Sequence, residues 1–401
     1  MGAFAMQKKL IVFCDGTWNR ADQHSDGKPC PTNVLRLFES TLAEDRNGVP
    51  QITHYIEGVG THKMERFWGG GFGYGISDNI KNAYSFIVSN YEKGDEIFLF
   101  GFSRGAFTAR SIAGLIRNMG ILRRDRLHLV HEAYNQYRDP DPKWGPDSEM
   151  AKAFRQANTF GGETIAFLGV WDTVGALGAP FGVVLSWITN LLFKCRFHDV
   201  RLSTIVESAY HAVAIDERRW PFRPTLWELN ETHLARNAES LKKDGTLLYE
   251  QKWFPGVHSN VGGGYPNAGL SDCSLQWMAE KAGERGLNAD LSRIDCPRWQ
   301  PDLHADIDNS QTLAYRLATI AFVKLPAPLL KKFDKSKDAA LIDHVLFNGD
   351  YVRPVGSQGN VAEAVKNFPS IGDYQGDVSR CAIEKLSYQA PLYRPRNISL
   401  S

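Results

Sequence analysis

Five short apolar runs recur along the chain, and each stops abruptly at Gly, Ser, Asp or His. They are LIVFCDGTWN (10–19), THYIEGVG (53–60), EIFLFGFSRGA (96–106), TIAFLGVWDTVGA (164–176) and EQKWFPGVHSNVGGG (250–264). Their bodies lack a helical period, the pattern of strands buried on both faces. Helical patterns lie between them. NVLRLFESTLA (33–43) is the first. ISDNIKNAYSFIVSNY (76–91) places Ile76, Ile80, Ala83, Tyr84 and Ile87 on one face, with Gly94 just past its end. FTARSIAGLIRNMG (107–120) follows the third strand and closes on glycine. LSTIVESAYHAVAIDERR (202–219) also reads as helical, with a stripe of Leu202, Ile205, Ala209, Ala212 and Val213 and with His211 on the opposite face. Strand and helix alternating in this way predict a mostly parallel sheet with helices on both faces. In such sheets functional residues gather at the carboxyl ends of the strands, and all five strands carry their unusual residues there.

Composition narrows the field without naming a chemistry. The 401 residues suffice for one large decorated domain or two modest ones. Apolar residues make up 43% and charged residues 23%, ordinary for a globular protein. The 46 basic residues nearly balance the 45 acidic ones and form no cluster, which argues against nucleic acid as a partner. Cys14, Cys30, Cys195, Cys273, Cys296 and Cys381 are scattered and read as free, mostly buried thiols of a reducing compartment. The opening MGAFAMQKKLIVF lacks the apolar stretch of a signal peptide, and no run reaches the ~18 residues of a membrane span. The expectation is a protein cytoplasmic as synthesised.

The sharpest chemistry lies in the third run. Gly101-Phe102-Ser103-Arg104-Gly105 matches G-x-S-x-G, with a strand running into it and a helix leaving it. That context is the nucleophile elbow, and it predicts the α/β-hydrolase fold with Ser103 as nucleophile. A serine hydroxyl needs a base, and the base needs an orienting acid. In this fold the chain order is Ser, acid, His. Asp172 in GVWDTVG and His258 in FPGVHSNVGGG satisfy that order, each at a strand end. His211 is the competing base. The oxyanion of the tetrahedral intermediate needs backbone N–H donors. Arg104 is expected to supply one, and Gly16 or Thr17 of the DGT turn the other, with Asp15 holding that turn. The bland alternatives are a Gly-rich turn with a bystander serine, a turn histidine and a capping aspartate. No cofactor is required. The pairs Cys195/His198 and His128/His131 fall short of the three or four ligands of a metal site.

Taken together, FCDGTWN, GFSRGA, VWDTVGA, HAVAIDERR and FPGVHSNVGGGY resemble an α/β-hydrolase family long known as a domain of unknown function. That family includes phospholipase effectors of the bacterial type VI secretion system, of the first lipase-effector class. The motifs span roughly residues 9 to 280. The resemblance implies a Ser-Asp-His esterase or phospholipase acting on glycerophospholipids. It carries onto Ser103, Asp172 and His258, and it includes His211 in one of its motifs. Asn260 departs from the family, which carries Asp there. Export without a signal peptide, a secretion carrier and an immunity protein are implied on the same grounds. An intracellular esterase of a small soluble ester, or a non-catalytic hydrolase fold used for interaction, are the other readings.

The expected division is a catalytic domain over 1–285, with a possible cap insertion at 177–200, and a C-terminal extension or small accessory region over 286–401. The apolar stretch 181–193 reads first as a buried helix. As a cap it would touch a membrane surface or cover an acyl chain. GGGFGYG (69–75) reads first as a flexible connection that lets helix and sheet pack closely, and otherwise as a phosphate cradle.

Overall fold

The computed structural model describes residues 7–59, 71–174 and 202–310, apart from positions 18, 26, 218, 220, 221, 223 and 296. The cap stretch 177–200, the last 91 positions from 311 to 401, Cys195, Cys296 and Cys381 lie outside the described residues. Cys14, Cys30 and Cys273 are buried free thiols.

Six strands form one sheet: β1 (Lys9–Cys14), β2 (Gln51–Ile56), β3 (Glu96–Phe102), β4 (Phe167–Trp171), β5 (Ala209–Ala214) and β6 (Tyr249–Phe254). Their spatial order is β2-β1-β3-β4-β5-β6, and every neighbouring pair is parallel. Both faces are covered, and β1, β3, β4 and β5 are buried along almost their whole length. In β1, Leu10, Val12 and Cys14 enter one core while Ile11 and Phe13 enter the other. The first core is closed by α2 (Gly71–Asn90), α3 (Arg104–Met119) and α4 (Val130–Arg138). The second is closed by α1 (Asn33–Ser40) and α8 (Gly269–Gly283). Helices α5 (Glu149–Asn158) and α6 (Glu231–Asp244) and the one-turn α7 (His258–Gly262) complete the described α-helices.

Local chemistry places several of these boundaries. The Thr32 side chain caps α1 by accepting from the Leu35 N–H. Gly120 ends α3 at φ 74°, a conformation that favours glycine. The predicted stripe of α2 is buried as read, with Tyr84 and Ile87 fully enclosed. The helix begins at Gly71, however, so the described part of the glycine run is helical rather than a connection. Gly75 explains one of these glycines. A Cβ there would lie 2.9 Å from Val59 Cγ1, so its absence lets α2 press on the chain leaving β2.

One element differs in kind from its reading. Residues 209–214 form β5, paired with β4 and β6, not part of a helix. Every residue of AYHAVA is buried, so the strand has no polar face to betray a period of two. Its alanines and the apolar spacing of the preceding loop imitate a helical stripe.

The chain runs β1 to β2 in one direction and then crosses back over β1 to β3. Order reverses between β1 and β3, and a crevice opens at such a point beyond the strand ends. Asp15 and Gly16 leave β1 there, and Ser103 leaves β3 beside them.

Candidate active site

Ser103 sits at φ 57° and ψ −119°, between β3 and α3. A non-glycine residue in that region carries strain of about 1–3 kcal/mol and is held by its surroundings. The Ser103 N–H donates to Trp171 O at 3.0 Å, which ties the elbow to the end of β4. Two glycines make the turn possible. A Cβ on Gly101 would lie 2.4 Å from Gly105 O, and one on Gly105 would lie 2.0 Å from Cys14 O. Gly101 thus lets α3 start directly over the strand, and Gly105 lets the elbow rest against the end of β1.

Asp172 follows β4 at φ 35° and is fully buried. Its Oδ1 accepts from the Ala214 N–H at 3.0 Å, and its Oδ2 lies 2.5 Å from His258 Nδ1. With Nδ1 donating to the carboxylate, the Nε2 of a neutral imidazole is its acceptor. His258 is itself buried, and its ring is held between aromatics: Phe102 at 4.6 Å between centroids and Phe222 edge-on at 4.9 Å. Phe102 immediately precedes Ser103, so the same ring links elbow and imidazole. Gly262 permits this packing, because a Cβ there would fall 2.0 Å from the Phe102 ring. Burial pulls the His258 pKa below the ordinary imidazole value of 6.5, against the opposing pull of Asp172.

His211 occupies a different place. It lies within β5, with Nε2 accepting from the Thr173 N–H at 3.1 Å and Nδ1 facing Gln251 Oε1 at 3.2 Å. Nε2 thus holds the turn after Asp172 while Nδ1 faces the neighbouring strand β6, and the ring packs on Trp227. The expectation that it points off an outer helix face is corrected by the strand, which buries it completely.

The DGT turn meets the elbow. A Cβ on Gly16 would come within 3.2 Å of Ser103 Cβ, so glycine gives the backbone its close approach. The Gly16 N–H donates to Asp15 Oδ1 at 2.6 Å. Asp15 Oδ2 accepts from Thr32 Oγ1 at 2.6 Å and from the Tyr55 hydroxyl at 2.7 Å. Thr17 is buried beside them, and its Oγ1 has no partner among the described residues. Arg104 is buried at the start of α3, and desolvation pulls its guanidinium down to about 10, still charged at neutral pH.

Burial pushes the Asp15 carboxyl up to about 6, while the bonds from Thr32, Tyr55 and Gly16 hold it back. Between the ordinary value of 3.8 and about 6, the folded chain keeps a proton that the unfolded chain has lost. The stability Asp15 contributes is therefore full below that window and is lost as pH rises through about 6, on the order of 3 kcal/mol in all. Urea unfolding of wild type and Asp15→Asn checks this: wild type is expected to lose stability relative to the variant as pH rises from about 4 to about 7. A pH-independent gap would contradict it.

Several residues that hold the site have no role in the sequence reading. Asp216 Oδ2 accepts from the Gly256 N–H at 2.8 Å, and Glu217 Oε2 accepts from the His258 N–H at 3.1 Å. Arg219 pairs with both oxygens of Glu217 and stacks over Phe222 at 3.6 Å. Asn33 Nδ2 donates to Val261 O at 3.0 Å and so ties α1 to α7. The run HAVAIDERR contains the first three, and its acids so close to a strand end were the available signal. Among the described residues no group of three or more His, Cys, Asp or Glu is placed to hold a metal ion. No described helix is long and apolar enough to cross a membrane.

A six-stranded parallel sheet with a strained serine between strand and helix, and with a buried Asp–His pair on later strand ends, defines an α/β-hydrolase. The match to known sequences is narrower. The chain belongs to the Tle1-like phospholipase effector family of type VI secretion systems (T6SS), whose catalytic domain matches residues 8–281. Residues 8–281 are thereby a domain of the lipase and esterase class. The uncharacterized protein YEL023C of Saccharomyces cerevisiae (strain ATCC 204508 / S288c) is 30% identical over 241 residues, covering 54% of this chain and 32% of that protein. The chain thus spans about a third of the length of this curated relative. Among solved structures, an uncharacterized protein from Pseudomonas aeruginosa is 16% identical at a TM-score of 0.42, covering 96% of this chain and 65% of that one. The Tle1 effector bound to the VgrG spike of the type 6 secretion system is 19% identical at a TM-score of 0.36, covering 67% and 53%.

Proposed function

We propose that the chain hydrolyses carboxylic esters of phospholipids through an acyl-enzyme formed on Ser103. The observation that carries this reading is the buried pair of Asp172 Oδ2 and His258 Nδ1, which turns an acceptor nitrogen away from the carboxylate beside the nucleophile elbow. His258 Nε2 takes the proton as Ser103 Oγ attacks the ester carbonyl. Asp172 fixes the tautomer and stabilises the imidazolium. The N–H groups of Arg104 and Thr17 receive the oxyanion. We assign the second donor to Thr17 rather than Gly16, because Gly16 gives its N–H to Asp15. His258 then returns the proton to the leaving alcohol, and water deacylates the serine with the same imidazole as base. Family membership supports phospholipid as the substrate class, export as an effector, and a secretion carrier as a partner.

A fluorophosphonate probe tests the nucleophile directly, because it phosphonylates an activated serine at phosphorus. Wild type is expected to take up one equivalent, and Ser103→Ala and His258→Ala none. Full labelling of Ser103→Ala would place the reactive group elsewhere.

A further inference from the structure

The turn that carries His258 is short of support from its own helix. Helix α7 has five residues, too few to hold itself. Its entry is pinned by side chains instead. Asn260 Oδ1 accepts from the Val257 N–H at 3.2 Å, across the residue that precedes His258. Asn260 is buried under Gly256, where a Cβ would lie 2.4 Å from Asn260 Cβ, so its orientation is fixed by packing. The rest of its amide is spent on one residue far along the chain. Asn260 Nδ2 donates to Asp308 Oδ2 at 2.8 Å, and Asn260 Oδ1 accepts from the Asp308 N–H at 3.2 Å. Two residues further on, Ser310 Oγ donates to Glu217 Oε1 at 3.0 Å, while the other oxygen of Glu217 holds the His258 N–H.

We propose that Asn260 and Asp308 are a matched positioning pair for His258, and that residues 308–310, beyond the family match at 8–281, belong to the catalytic apparatus. The inference rests on the reading of His258 as the base. Residue 260 must donate to a carboxylate and accept two backbone N–H groups, and an amide does both. A carboxylate is acceptor-only when ionised. Aspartate at 260 would therefore face the Asp308 carboxylate with no proton between them. Reversing the polarity restores every bond: an Asp at 260 still accepts the N–H groups of 257 and 308, and an Asn at 308 donates to it.

The test is a double-mutant cycle of Asn260→Asp, Asp308→Asn and the two together with a soluble short-chain ester, following kcat and KM separately alongside thermal unfolding. Asn260→Asp is expected to lower kcat about 10- to 100-fold at little change in KM, and the addition of Asp308→Asn to recover kcat to within about 3-fold of wild type. If Asn260→Asp alone does not fold, the double variant is compared directly with wild type. A folded, active double variant supports the pair, and an unfolded or inactive one overturns it. Wild-type kcat in Asn260→Asp also overturns it. His258→Ala is run beside them. If it is inactive while Asn260→Asp is unimpaired, the positioning pair fails and the base assignment stands. If it is active, the base assignment itself fails.

Discussion

Ser103→Ala is expected to fold as wild type and to lose ~10³-fold or more of turnover on any ester. The size of the loss follows from the division of labour at the elbow. Oxyanion donors and substrate binding survive the substitution, but no atom remains to form the acyl-enzyme. Folding survives because what holds the elbow is backbone. The Ser103 N–H still reaches Trp171 O, and Gly101 and Gly105 still admit the helix. Alanine tolerates the strained φ of 57° no worse than serine does. Unfolding curves of the two proteins are expected to coincide within about 1 kcal/mol, as for a substitution that removes no packing.

Asp172→Asn is expected to cost ~10⁴-fold in kcat with the geometry largely intact. The two oxygens of Asp172 face different donors, the Ala214 N–H and His258 Nδ1. An asparagine that keeps its oxygen on Ala214 turns its NH2 group toward Nδ1. That favours the imidazole tautomer with its proton on Nε2, which leaves no acceptor for the serine proton. The pH profile supplies a second readout. Burial holds the His258 pKa below its ordinary 6.5, and Asp172 opposes that shift. The acid limb of kcat/KM in wild type is therefore expected below about pH 6.5, where protonation removes the base. Without the carboxylate the residual activity of Asp172→Asn should keep its acid limb at still lower pH. An acid limb above 6.5, or one that rises in the variant, would contradict the assignment.

Much of this arrangement is legible in the chain because strands buried on both faces advertise themselves. All five runs form strands of the sheet, β1, β3 and β4 being buried along almost their whole length, and Asp15, Ser103, Asp172 and His258 follow where four of the runs break. The elbow is legible because its requirement is local: two glycines around a serine, between a strand and a helix. What escaped is set by contacts distant in sequence. Strand β5 is alanine-rich, with helix-forming residues, and only pairing to β4 and β6 makes it extended. Its misreading also misplaced His211, whose two ring bonds depend on that pairing. The sequence shows Asp15 only as a clasp on its own turn, but Thr32 on α1's cap and Tyr55 on β2 also hold its carboxylate. The Asp216–Glu217–Arg219 support of His258 shows in the sequence only as charged residues close to a strand end, for the same reason. It is a loop after one strand holding a loop after the next, and no periodicity records it.

These placements give the catalytic proposal a shape that one assay can break. The measurement is release of fatty acid from mixed phospholipid vesicles, by wild type beside Ser103→Ala. The account predicts steady release by wild type and a loss of ~10³-fold or more in the variant. Equal release by the two proteins would contradict the Ser103 mechanism, and serine-dependent cleavage of short esters with no release from vesicles would contradict phospholipid as the substrate.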